Sequence, residues 1–82
     1  MTTAEFTRTG LQDINSRYIY QDGSEEVGVV GNFFPEEPDT YYFVPMTRII
    51  AFDHCRRSSD FPGMKRECKV IFLERVSSIE KY

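Results

Sequence analysis

The stretch Arg17 to Phe34, RYIYQDGSEEVGVVGNFF, sets Asp22-Gly23 between two runs of alternating apolar residues. That arrangement is among the strongest short-range signals for a β-hairpin, because Asp and Gly tolerate the positive φ that a tight primed turn demands. Alternation sends Tyr18 and Tyr20 to one face and Arg17, Ile19 and Gln21 to the other; beyond the turn, Val27 and Val29 oppose Glu26, Gly28 and Val30. Gly28 and Gly31 interrupt the second strand. Glycines inside a strand mark a bulge or bend, which is how small barrels turn corners.

The flanks supply further elements. Thr2-x-x-Glu5 has the spacing of a helix capping box and Gly10 that of a left-handed terminator, predicting a short N-terminal helix. Pro35-Glu36-Glu37-Pro38-Asp39 lacks two backbone donors and predicts an exposed loop. Thr40 to Phe52 reads as one long strand, or as two meeting at Pro45, which must lie at an edge, a strand end or a bulge. Asp53 to Lys65 reads as a basic loop turning at Pro62-Gly63. Cys68 to Val76 reads as a last strand whose Val70-Ile71-Phe72-Leu73 core is buried on both faces, followed by Ser77-Ser78-Ile79. The expected fold is mainly β, a small five-stranded barrel with a short N-terminal helix, forming a single domain over residues 1–82.

At 82 residues the chain holds one small core, with marginal stability unless it oligomerises or is stapled. No apolar run approaches the roughly 20 residues that span a bilayer, and the first residues lack a signal peptide's basic start and apolar core. The expectation is a cytoplasmic protein with no membrane partner. Two cysteines in that setting are expected as free thiols, although a Cys55–Cys68 bridge would staple the basic loop. Asp53, His54, Cys55 and Cys68 are soft or acidic ligand types, but the paired short spacings of structural zinc sites are missing, so no metal or other cofactor is expected. No nucleophile has an evident base and oxyanion segment. The chain is expected to be non-enzymatic.

Asp22-Gly23, four residues, Gly28, four residues and the aromatic Phe33 have the spacing of the first motif of Sm-like proteins. With the helix and five strands, the chain resembles the Sm-like and SH3-like small barrels, and VIFLERVSSIEKY is also similar to the C-terminal strand of WYL domains. The resemblance implies the barrel topology. It does not bring over RNA binding, because the family's Asp and base-reading Asn are replaced by Phe34-Pro35-Glu36 and its second Arg-Gly motif is absent.

The net charge of −3 conceals a segregation: residues 1–45 carry two basic and eight acidic side chains, and residues 46–82 eight basic and five acidic. Such faces are either solvated loops or two patches that dock between subunits or on separate partners. The acidic candidates are Glu25, Glu26, Glu36, Glu37 and Asp39; the basic ones are Arg56, Arg57, Lys65, Arg66 and Lys69. Phe34, Tyr41 and Tyr42 are candidates for an exposed aromatic patch of the kind that marks interfaces. These features point to a protein–protein interaction module, a stand-alone inhibitor or adaptor that self-associates through a strand edge. Nucleic-acid binding through the basic 54–69 loop is the second reading.

Overall fold

The computed structural model describes residues 1–82. Its first element, α1 (Thr3–Thr9), is closed at both ends by local chemistry: Thr2 and Glu5 complete the reciprocal capping box, and Gly10 ends the helix at φ 70°. Phe6 alone turns inward, where its ring meets Tyr41 edge-on at 5.4 Å. Buried aromatic surface therefore holds a helix too short to stand alone.

β1 (Ser16–Tyr20) and β2 (Glu25–Gly31) form the expected hairpin, with Tyr18 opposite Glu26 and Ser16 opposite Gly28. The turn is not primed. Gly23 is left-handed at φ 88° while Asp22 is not, giving a three-residue loop with the bulge that a single left-handed glycine makes. Asp22 instead accepts from the Ser24 amide at 2.9 Å and its hydroxyl at 2.6 Å.

β3 (Tyr42–Pro45) pairs with β2, and Pro45 falls at the strand end opposite Gly28. The long strand expected over Thr40 to Phe52 stops there. After a 3-10 turn the chain becomes α2 (Ile49–Arg57) and then α3 (Phe61–Arg66), so the basic loop is a helical pair. Ile49, Phe52 and Cys55 recur at a three-residue spacing against the sheet, whereas Ile50 is 88% exposed. Pro62 lies in the first turn of α3, where a missing amide costs nothing, and Asp60 caps that turn through the Gly63 amide at 3.0 Å. The proline and glycine start a helix here rather than making a bare turn.

The expected final strand divides into β4 (Lys69–Val70), a 3-10 turn at Leu73–Arg75 and β5 (Val76–Lys81). The sheet is antiparallel in the order β4-β3-β2-β1-β5. β4 and β5 lie at its two edges and do not pair, so no barrel is closed by hydrogen bonds. Helices and 3-10 turns together hold more residues than the strands, and the architecture is a five-stranded sheet with helical cover rather than mainly β. The strand buried on both faces is β3, not Val70 to Leu73. Phe43 joins Phe6, Tyr18, Val30, Ile71, Leu73 and Val76 in one core, while Tyr42 and Val44 join Phe34, Phe52 and Met64 in a second under α2 and α3.

Gly28 lets the sheet close around β3. A Cβ there would lie 2.2 Å from the Val44 carbonyl oxygen and 2.7 Å from the Phe43 ring, with backbone as the unyielding neighbour. Gly28→Ala is expected to cost about 1–3 kcal/mol as overpacking, a fall in Tm on the order of 10 °C for a domain of this size. Gly23→Ala meets no atom within 4 Å but retains the unfavourable φ, and should lose about 1–2 kcal/mol. Thermal unfolding of both variants measures the difference; an unchanged Gly28→Ala midpoint would show that the β2–β3 spacing is relaxed.

Candidate functional site

The open side of the sheet contains a wide hollow. β4 bonds to β3 on one side only, with Val70 opposite Tyr42 and Lys69 opposite Phe43. Beyond it, Ile71 points into the core while Val70 and Phe72, on either side of it, are 42% and 51% exposed. This alternation makes Val70–Phe72 a ridge. One flank is a cleft of about 530 Å³ whose far wall is the hairpin tip, Tyr20 to Glu26; the other is a smaller hollow of about 220 Å³ beside Thr3 and Tyr41.

Polar groups of the cleft are mostly tied to one another. Lys69 Nζ donates to both Glu26 carboxylate oxygens at 2.8 and 3.0 Å, and the Tyr20 hydroxyl donates to the same carboxylate at 2.9 Å. Burial, and then that hydrogen bond to an anion, push the Tyr20 phenol above its ordinary range, so it stays a protonated donor. Gln21 laces the hairpin to the turn before β5, its amide donating to Arg75 O at 2.9 Å and its side chain to Glu74 O at 3.0 Å. The Arg75 guanidinium lies over the Phe72 ring, 5.1 Å from its centre.

The residues expected to form interaction faces are distributed differently. Phe34 and Tyr42 are 1% and 8% exposed and meet edge-on at 4.8 Å in the second core, and half-buried Tyr41 packs on the first. The expected aromatic patch does not form, because β3 buries both faces. The opposite charges meet within one chain. Glu26 holds Lys69, Glu37 holds Lys65 at 2.5 Å, Glu25 lies 3.5 Å from Arg17, and Arg56 grips Asp13 through two nitrogens at 3.2 and 3.3 Å. Glu36 and Asp39 remain exposed without an ionic partner, as do Arg57 and Arg66 on the helical side. The basic set is thus split, with Arg56, Lys65 and Lys69 engaged.

His54 is exposed on α2, whereas Cys55 and Cys68 are free thiols packed half-buried against the second core. Asp53, His54 and the two cysteines do not converge on a common point. Cys68 donates to Met64 O at 3.2 Å, and burial pushes its thiol up to about 11. The residues that line the open cleft, Val70, Phe72 and Arg75, went unmarked in sequence because VIFL reads as buried. The Phe72-x-x-Arg75 spacing, one helical turn, was the signal for a stacked pair. No helix is long and apolar enough to cross a membrane. No family model, curated protein or solved structure matches this chain.

Two measurements follow from the titrating groups. Relative to an ordinary thiol near 9, Cys68 at about 11 has a hundredfold smaller thiolate fraction at neutral pH. Iodoacetamide at pH 8 should therefore modify it about tenfold more slowly than a free cysteine, because the higher nucleophilicity of a more basic thiolate offsets part of its scarcity, as mass spectrometry of the digested protein would resolve; an ordinary rate would place the sulfur in solvent. The Lys65 ammonium, then the Tyr42 hydroxyl, hold Glu37 below its ordinary value of 4.5, and Glu37 raises Lys65 above 10.5. The carboxylate's contribution is complete above pH 4.5 and is lost as pH falls through its depressed folded value; the ammonium's is complete below 10.5 and is lost as pH rises through its raised one. Denaturant midpoints should separate wild type from Glu37→Gln at pH 7 and bring them together at pH 2–3. The gap is small because both groups are exposed; one that persists in acid would assign it to packing.

Proposed function

We propose that the chain is a non-enzymatic protein-interaction module that takes an extended segment of another polypeptide along the free edge of β4. The single observation that carries this reading is the open sheet, with an apolar ridge at Val70 and Phe72 standing between two hollows beside an unpaired edge. A free edge offers backbone donors and acceptors to an incoming strand, and alternate side chains of that strand fill the hollows. The polar groups of the cleft support binding rather than chemistry: Tyr20 is kept protonated and Glu26 is held in an ion pair with Lys69. Self-association belongs to the same reading. β4 and β5 are opposite edges, so pairing β4 with another copy's β5 would be a head-to-tail contact. An inhibitor or adaptor role would follow from occupying a partner's exposed strand.

A photoreactive benzoylphenylalanine placed at Phe72 and, in a separate variant, at Ile50 tests the surface. Both positions are exposed, but only the first adjoins the free edge. The reading expects polypeptide adducts from position 72, reduced at least tenfold by Val70→Lys, with their attachment points in one extended segment. Adducts formed only from position 50, or nucleic-acid adducts, would overturn it. If the segment is β5 of a second copy, light scattering should also show a mass that falls to the monomer in Val70→Lys.

A further inference from the structure

Resting on the strand-edge reading, we infer that the segment docking beside β4 is acidic, with a carboxylate two residues from an apolar anchor. Four charged side chains line the cleft, and three of them are engaged within the chain. Of its two cations, Lys69 is held by both oxygens of Glu26, whereas Arg75 has no carboxylate partner within 4.0 Å. Of its two anions, Glu26 is engaged by Lys69 and Tyr20, and Asp22 accepts two hydrogen bonds from Ser24 that hold the hairpin turn. Arg75 is the one charge lining the cleft that the fold leaves without a partner.

Its geometry suits a carboxylate. The guanidinium carbon lies 5.1 Å from the centre of the Phe72 ring and no carboxylate of the chain engages its nitrogens, which leaves them for a carboxylate that arginine grips with two parallel hydrogen bonds. The backbone beneath is anchored, because the Gln21 amide donates to Arg75 O and the Gln21 side chain to Glu74 O. An incoming strand repeats its side-chain direction every second residue, about 6.6–6.8 Å. A strand that seats an apolar side chain against Val70 therefore carries its next side chain of the same face alongside Phe72, where the Arg75 guanidinium lies 5.1 Å from the ring centre. Apolar-x-acidic, in either chain direction, is the pattern that satisfies both contacts.

Selection from a phage-displayed random octapeptide library on the immobilised full chain tests this, with parallel selections on Arg75→Glu and Phe72→Ser. Both positions are exposed, so both variants should fold, and circular dichroism checks that they do. Wild type is expected to enrich Asp or Glu two positions from an aliphatic or aromatic residue. Arg75→Glu should enrich Lys or Arg there instead and bind the wild-type peptides at least tenfold more weakly, and Phe72→Ser should lose the apolar preference. N-methylation of alternate amides in a selected peptide should abolish binding if it adds as a strand. Peptides that lack an acid and are indifferent to Arg75→Glu, yet are lost on N-methylation, would overturn the acidic preference and leave the strand-edge reading standing. Peptides indifferent to N-methylation and to Phe72→Ser, or no enrichment at all, would overturn both.

Discussion

Alternation along Tyr42, Phe43 and Val44 sends the middle ring into one core and its neighbours into the other, so β3 is the wall that both cores share. Each side chain there is essentially removed from water, at roughly 1.5–3 kcal/mol of transfer free energy for a large apolar group. A strand buried on both faces needs cover on both, and the chain supplies it from both ends. α1 and the approach to β5 cover the Phe43 side; α2 and α3 cover the other. Close approach at Gly28 is what makes the shared wall thin enough, since no side chain fits between β2 and the Val44 carbonyl.

This solution explains why the sheet stays open. In a closed barrel, two edges meet and a single interior is filled. Here, the stretch between β3 and β4 is folded into helices that bury the outer face, leaving only two residues of β4 paired with β3. The edge that remains is blunted in a familiar manner: it is very short and carries a lysine. Yet that lysine is drawn back across Phe43 to Glu26, with its ammonium 5.5 Å from the ring centre. The protection normally supplied by a free edge charge is thereby reduced beside Val70 and Phe72.

Features governed by local chemistry were legible in the sequence. The hairpin, the capping box and the Gly10 terminator each depend on residues within a few positions of one another. The helical pair was not legible, because Ile49-Ile50-Ala51-Phe52 has the β-branched and aromatic character of a strand and Pro62-Gly63 that of a turn; only packing on Val44 and the Asp60 cap decide for helix. The Val70 to Leu73 run misled for the related reason that apolar content alone does not reveal a missing neighbour. The charge segregation is plain in the sequence, and its pairing is visible only in the fold: Asp13, Glu26 and Glu37 from the acidic half meet Arg56, Lys69 and Lys65 from the basic half. Of the residues lining the cleft, the charge pattern of the sequence marks Glu26 and Lys69 as interaction candidates.

These cross-chain ion pairs are exposed and individually contribute little, about 0–1 kcal/mol. Their value lies in specifying arrangement. Arg56, stacked 5.2 Å from the Phe33 ring and gripping Asp13, fixes where α2 sits, and Lys65, 5.0 Å from the Phe34 ring and bonded to Glu37, does the same for α3. Each combines a cation, an aromatic ring and a carboxylate. Arg75 and Phe72 repeat the first two members at the open edge and lack the third. Where that triad is complete it joins two segments of this chain, and where it is incomplete it faces the cleft in which we propose that a second polypeptide supplies the carboxylate.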